Sequence, residues 1–78
     1  MSHELYQTSD IALAAYLVIR GYSIANVSHD QSNKATFHFQ DKPEREHHVL
    51  EFFNRQAVVE PVSFLDHVRG LKAMVHQR

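Results

Sequence analysis

The chain has 78 residues, 44% of them hydrophobic and 22% charged, which describes one small folded domain over residues 1–78 with no room for a second. Eight Lys and Arg against nine Asp and Glu give a formal charge of −1, which argues against an obligate polyanion binder and against an acidic tail. With no Cys and two Gly, the sequence excludes a disulfide frame, a thiolate metal site and a glycine-rich phosphate loop.

The beginning of the chain predicts a short strand followed by a buried helix. Residues 5–7 can add a strand to a sheet edge. Residues 8–10 offer a hydroxyl cap and an early carboxylate to a helix that runs to about Arg20. This helix is apolar on nearly every side, which indicates a central position covered by neighbouring elements. Gly21 is expected to end it in left-handed backbone.

A β-hairpin is predicted next, because the hydrophobic period changes to two over residues 22–29 and 34–40. The side chains between the two runs are typical of a turn. A register that places Val27 opposite Phe37 and Ala25 opposite Phe39 makes one face of the hairpin apolar. The opposite face of the second strand then carries polar residues and contacts water.

Two more helices complete the predicted set, joined by a connector or a very short strand. The second starts near Pro43 and runs to about Asn54, which tolerates the positive φ that closes a helix. Glu51 and Arg55 are expected to pair on its surface. The third helix opens at Pro61. The predicted core stripes are Val49, Leu50, Phe52 and Phe53 on the second helix and Phe64, Leu65, Val68, Leu71 and Val75 on the third.

These elements predict a small two-layer α+β domain in the order β-α-β-β-α-α. Its helices would pack on one face of an antiparallel sheet of two or three strands. Gly70 falls inside the third helix, where glycine costs about 1 kcal/mol relative to alanine. Either another backbone approaches it closely or the cost is tolerated on the outside of the helix, and we favour the second.

The third helix carries the best basic stripe of the chain. Arg69, Lys72 and His76 lie at positions i, i+3 and i+7, with Arg78 just beyond them. These four residues are candidate contacts for nucleic acid or for a protein partner. The simpler interpretation is that they complement the negative C-terminal end of the helix. We favour it because a group of only three or four cations gives weak binding to phosphates.

No other constellation has a spacing that is diagnostic of chemistry. Seven histidines suggest a metal, but His47 and His48 are adjacent and point about 100° apart around a helix. Phe37 and Phe39 could stack on bases, although their alternation assigns them to the core. We find no nucleophile elbow or carboxylate pair. The sequence therefore predicts no catalytic residue, no metal site, no cofactor and no enzyme.

Motifs along nearly the whole chain carry a family resemblance. They are Tyr6-x-Thr8-x-Asp10, Phe37-x-Phe39-x-Asp41-x-Pro43-Glu44, Phe52-Phe53-Asn54, Val59-x-Pro61, Phe64-Leu65 and Arg69-x-Leu71-Lys72. The chain resembles a domain-of-unknown-function family of short bacterial and phage proteins, often encoded on mobile elements. The resemblance implies a fold and assigns no catalytic residue. Such proteins often have glycine where this chain has Arg55, so Asn54 is expected to bear the unusual backbone geometry alone.

The leading functional expectation is a non-enzymatic accessory or protein-interaction module of a phage or mobile element. It would act through a protein partner or through self-association, for instance as a homodimer. The alternative is weak nucleic-acid binding through the basic stripe of the third helix. No apolar run approaches the roughly 20 residues that span a bilayer, so we expect a cytoplasmic protein without membrane contact.

Overall fold

A computed structural model describes residues 4–76 of the chain. Its elements are β1 (Leu5–Thr8), α1 (Ile11–Ile19), β2 (Ile24–His29), β3 (Ala35–Gln40), α2 (Arg45–Phe53) and α3 (Pro61–His76). This is the predicted β-α-β-β-α-α order. The Cα atoms extend over 37 × 33 × 18 Å, and the short dimension fits one sheet covered by one layer of helices.

The sheet is antiparallel and has three strands in the order β1-β3-β2. Val27 lies opposite Phe37, as predicted. The predicted pairing of Ala25 with Phe39 is wrong, because Ile24 occupies that place. A register shift follows Ile24, and the extra residue of such a bulge stays unpaired. The bulge therefore brings the larger Ile24 side chain, instead of Ala25, to the core face.

The core lies between α1 and one face of the sheet. Phe37 and Phe39 are 1% and 0% exposed, so the alternation of β3 assigns both rings to the covered face. The α1 residues from Leu13 to Leu17 are all buried, which confirms the predicted central helix. Leu71 brings α3 into the same cluster. Apart from the tyrosines Tyr16 and Tyr22, whose hydroxyls are hydrogen-bonded, the described residues include no buried polar side chain.

Local hydrogen bonds explain where α1 begins and ends. The Asp10 carboxylate accepts from the backbone N–H groups of Ala12 and Leu13 at 3.0 and 3.1 Å, so the helix cap is a carboxylate and not the predicted hydroxyl. The Thr8 hydroxyl accepts instead from the N–H of Asp10 at 3.1 Å. Gly21 has a φ of 96°, which confirms the predicted left-handed end of the helix.

The other two helices start differently from one another. The structure places the start of α2 at Arg45, after Pro43, and Glu44 makes no side-chain cap bond. By contrast, α3 begins at Pro61 as predicted, and the Glu60 carboxylate accepts from the N–H groups of the second and third helical residues at 3.1 and 2.7 Å. The described segment between these helices contains no strand. It is therefore the connector that the sequence allowed.

The end of α2 corrects the prediction for its backbone. Asn54 has an ordinary φ of −87°, whereas Arg55 has a φ of 60°. The N–H of Arg55 donates to the carbonyl of Phe52 at 3.2 Å, and the N–H of Gln56 donates to that of Glu51 at 2.9 Å. This pair of bonds is the Schellman motif, which requires left-handed backbone in the residue after the cap. Arg55 bears the unusual geometry because it, and not Asn54, has that position.

Two predicted side-chain placements are also wrong for α2 and α3. The Glu51–Arg55 pair does not form, because Arg55 lies past the helix end and Glu51 contacts Tyr16 and His47. Three residues of the predicted core stripes are exposed, at 52%, 58% and 49%, namely Leu50, Phe53 and Leu65. A helix at the side of a two-layer domain has one packed flank, so the apolar residues beyond that flank face water.

Candidate functional site

The α3 basic stripe consists of Arg69, Lys72 and His76, and all three are exposed on one side of the helix as predicted. Arg78 lies outside the described residues. The Arg69 guanidinium contacts the Asp66 carboxylate at 3.4 Å, with both side chains more than half exposed. A surface pair of this kind is worth about 0.2–1 kcal/mol, so it lowers the local positive charge without fixing the arginine.

A second basic group, near the hairpin, is largely used inside the fold. The Lys42 ammonium donates to the carbonyl of Gly21 at 3.0 Å and lies 4.7 Å from the centre of the Tyr22 ring. The Arg45 guanidinium donates to Asp41 and lies 4.3 Å from the ring centre of Tyr6. The hydrogen bond from Arg45 lowers the pKa of Asp41. Arg45 therefore connects the start of α2 to β1, while Lys42 connects the preceding segment to the end of α1, and both cations already have partners inside the fold.

The exposed apolar residues of α2, α3 and their connector are the strongest feature that the sequence interpretation missed. Seven large hydrophobic side chains of the described residues are exposed, and five of them lie between residues 50 and 65. We call these five the α2–α3 apolar surface: Leu50, Phe53, Val58, Val62 and Leu65. Val58 and Val62 are 82% and 63% exposed, so most of each residue contacts solvent.

Helical spacing groups these residues in pairs. Leu50 and Phe53 are three apart on α2, and Val62 and Leu65 are three apart on α3, so each pair lies on one side of its helix. Val58 belongs to the connector between the two helices. A sequence signal was present, since α2 is too rich in apolar residues for one narrow flank. It could not show which of them would stay outside.

Polar contacts to α1 and to the segment that follows it decide which flank of α2 faces inward. The Tyr16 hydroxyl donates to the Glu51 carboxylate at 2.8 Å, and the Tyr22 hydroxyl lies 3.0 Å from Nδ1 of His48. Burial, followed by the bond to Glu51, raises the pKa of Tyr16, while the bond from Tyr16 lowers the pKa of Glu51. Burial also raises the pKa of Tyr22. Val49 and Phe52 pack against the core on this inward flank, which leaves Leu50 and Phe53 exposed.

A groove of about 340 Å³ runs along the other flank of α3. Its α3 side consists of Asp66, His67, Gly70, Leu71 and Met74, and its opposite wall is made by Val18 of α1 and Ile24 of β2. We call it the Gly70 groove. No heavy atom lies within 4 Å of a Cβ built on Gly70, which confirms that the glycine is tolerated on the outside of the helix.

One pair of side chains has the geometry of a nucleophile and a base. The Ser28 hydroxyl lies 2.8 Å from Nε2 of His38, on the face of the sheet that no helix covers. Catalytic pairs of this kind need a third group that orients the imidazole. Among residues 4–76, no side chain hydrogen-bonds the other ring nitrogen of His38. We therefore interpret the Ser28–His38 pair as a contact between neighbouring strands on the surface of the sheet.

In the part of the chain that the structure describes, no three His, Asp or Glu side chains are grouped so that they could hold a metal ion. His47 and His48 have ring centres 5.6 Å apart, and each has a different partner, Glu51 and Tyr22 respectively. No helix within residues 4–76 is both long and apolar enough to cross a membrane.

Comparison with known protein families places the chain. Residues 3–77 match the family described as a domain of unknown function, DUF5659. The chain therefore belongs to this family, which confirms the expectation of a domain-of-unknown-function family. Comparisons with curated proteins and with solved structures gave no match. The family description names no activity, so the surfaces of the fold are the basis of any functional argument.

Proposed function

We propose that this chain is a non-enzymatic protein-interaction module whose docking surface is the α2–α3 apolar surface. The observation that carries the proposal is the grouping of five large exposed hydrophobic side chains between residues 50 and 65. Single exposed hydrophobics are ordinary, but a group with helical spacing is typical of a surface that a second molecule covers. The occupant is a protein partner or a second copy of the chain.

The contribution of Leu50 and Phe53 to the free energy of binding can be estimated from how much of each side chain is exposed. Phe53 is 58% exposed and Leu50 is 52% exposed, so about half of each side chain is available to a partner. Full burial of such a side chain contributes about 1.5–3 kcal/mol, so the two together offer roughly 1.5–3 kcal/mol at an interface. A loss of that order weakens binding at least about tenfold.

The test compares the wild-type chain with the double variant Leu50→Ser/Phe53→Ser. Leu5→Ser is the matched control, since Leu5 is 42% exposed but lies on β1, away from the α2–α3 apolar surface. Sedimentation velocity over a range of concentrations measures self-association, and capture from a host lysate identifies protein partners. We expect one of the two readouts to be lost in the double variant and kept in the control. Equal behaviour of all three chains, each shown to be folded, contradicts the proposal.

The proposal includes a role as an accessory protein of a phage or mobile element, acting in the cytoplasm. Its support is the resemblance of the chain's motifs to short bacterial and phage proteins. The genes beside the coding sequence test the first part, and fractionation of the native host tests the second. Neighbouring genes without any phage or mobile-element function in several genomes would remove the accessory role and leave the interaction module untouched.

A second candidate function is weak nucleic-acid binding through the α3 basic stripe. The exposure of Arg69, Lys72 and His76 on one side of α3 favours it. Charge reversal by Arg69→Glu and Lys72→Glu should lower affinity for DNA and flatten the dependence of affinity on salt, by a slope of about 0.9 for each lost phosphate contact. Lys34→Glu, an exposed lysine beside the hairpin turn, is the control. Unchanged affinity and slope in the double variant refute this function.

A further inference from the structure

Gly70, one of the residues that line the Gly70 groove, is not required by the backbone geometry of the fold. Gly70 lies inside the 16-residue helix α3, where glycine is less stable than alanine by about 1 kcal/mol. Its φ is not positive, and a Cβ at this position would meet no heavy atom within 4 Å. Neither backbone geometry nor close packing therefore explains the glycine. Gly70 lines the groove, so a larger side chain at this position would occupy part of it.

The walls of the groove suit an apolar side chain. Leu71 is buried at its base, and Val18 and Ile24 form the wall opposite α3. Met74, 41% exposed, borders the opening, and a flexible thioether side chain adapts to an occupant. A volume of about 340 Å³ is at the low end of ligand pockets, which span about 300–1,000 Å³. One or two side chains fill it.

The groove is bordered by a histidine and by one carboxylate. Nδ1 of His67 lies 2.8 Å from the carbonyl oxygen of Ser63, and since a carbonyl only accepts, Nδ1 is the donor. In the neutral ring Nε2 is then an acceptor. The carboxylate of Asp66 is 65% exposed and has one weak contact, 3.4 Å from Arg69. An occupant with a positive charge beside its apolar group complements this rim.

The spacing of the two features limits the shape of the occupant. Asp66 and Gly70 are four residues apart on α3 and lie on the same side of the helix. The Cβ of Asp66 and a Cβ built on Gly70 would therefore be about 5–6 Å apart. Residues four apart on a partner helix present their side chains at the same distance. An apolar residue and a basic residue separated by one helical turn therefore fit the groove and the carboxylate together.

We propose that the Gly70 groove binds a helical segment of a partner protein, taking one apolar side chain over Gly70 and pairing a Lys or Arg one turn away with Asp66. The inference deepens the proposed function, because it rests on the chain being an interaction module. It adds a second contact region and the chemistry of the partner. The α2–α3 apolar surface and the Gly70 groove both include residues of α3, but they share no residue, so each can be tested by its own variants.

The probe is a blocked helical peptide with a single Leu one turn from a single Lys, on an Ala and Gln background. Binding is followed by amide chemical shifts of the ¹⁵N-labelled full chain. We expect saturable shifts at Val18, Ile24 and Leu71. Replacing the peptide Leu by Ala should abolish them, and replacing the Lys by Glu should weaken binding by about two- to fivefold, the range of a surface ion pair.

Variants of the protein separate groove filling from other effects. Gly70→Leu fills the groove and should abolish the shifts, while Ala73→Leu adds the same side chain to α3 outside the groove lining and should leave them. Asp66→Asn should remove the preference for the Lys peptide and keep binding of its acetyl-lysine form. An amide spectrum with native dispersion shows that each variant is folded.

Three outcomes overturn the inference. If Gly70→Leu and Ala73→Leu bind the peptide equally, the groove is not the binding site. The same conclusion follows if no peptide shifts the amide signals of the groove residues. Shifts at the groove that depend on protein concentration without peptide assign it to a second copy of the chain. If partner capture survives Gly70→Leu but is lost in Leu50→Ser/Phe53→Ser, the groove inference fails while the proposed function stands.

Discussion

Replacing Gly70 by alanine should stabilise the protein. The residue has an ordinary φ, is exposed in the interior of α3, and has no heavy atom within 4 Å of the added Cβ. Alanine is favoured over glycine in an exposed helix interior by about 1 kcal/mol, so the free energy of unfolding should rise by about that amount. For a domain of this size, 1 kcal/mol corresponds to a rise in Tm of about 4–8 °C.

The matched variant is Gly21→Ala, which places the same methyl group in a left-handed position. Gly21 has a φ of 96°, which an L side chain rarely adopts, while the nearest atom to its Cβ is a flexible lysine end at 3.7 Å. Backbone strain and not a clash should therefore lower the free energy of unfolding, by about 1–2 kcal/mol. Urea unfolding followed by far-ultraviolet circular dichroism measures both variants.

The pair of results tests the geometry of α3 directly. If Gly70→Ala leaves stability unchanged or lowers it, an atom does approach this residue, and the open groove along α3 is wrong. A gain from Gly21→Ala would instead show that the end of α1 is not left-handed. Opposite signs for the two glycines are the expected result, and they would show that the fold requires one glycine and only tolerates the other.

Three further predictions concern the backbone of Arg55, the hydrogen bond between Tyr16 and Glu51, and the burial of Tyr22. Arg55→Gly should raise the free energy of unfolding by about 0.5–1 kcal/mol, because relief of the left-handed strain exceeds the extra entropy of glycine in the unfolded chain; urea unfolding measures it. Tyr16→Phe should raise the pKa of Glu51 toward its ordinary range, which titration of the Glu51 carboxyl by NMR detects; an unchanged pKa would show that the hydroxyl does not donate to it. Burial raises the pKa of Tyr22 above the unfolded value of about 10, so the stability it contributes is present below about pH 10 and is lost as the pH rises through the folded pKa. Tyr22→Phe should therefore flatten the alkaline end of the stability profile, and equal slopes for the two chains would refute the assignment.

The order of the elements could be predicted because it depends on local signals. Gly21 and Pro61 mark helix boundaries through backbone chemistry that the neighbouring residues alone specify. The two-residue period of β3 identified Phe37 and Phe39 as the covered face. Such signals act over a few residues, so tertiary contacts did not displace them.

The candidate surfaces could be predicted only in part. Arg69, Lys72 and His76 share an exposed side of α3, as helical spacing alone requires. By contrast, Leu50 and Phe53 belong to a stripe that fits either a core or a docking surface. Period and hydrophobicity are the same in both cases, so the sequence could not separate them.

The amino-acid sequence by itself determined the helices, the hairpin, their order and the absence of cysteine chemistry, because caps, turns and hydrophobic periods act locally. The tertiary structure alone decided three things: the bulge that replaces Ala25 by Ile24 on the core face, the left-handed residue at Arg55, and the apolar residues left outside. The first two depend on the residue at which a strand shifts its register or a helix ends, and the third depends on how much area one layer of helices covers. That area is set by the packing of the whole chain, so it cannot be predicted from any short segment of the sequence.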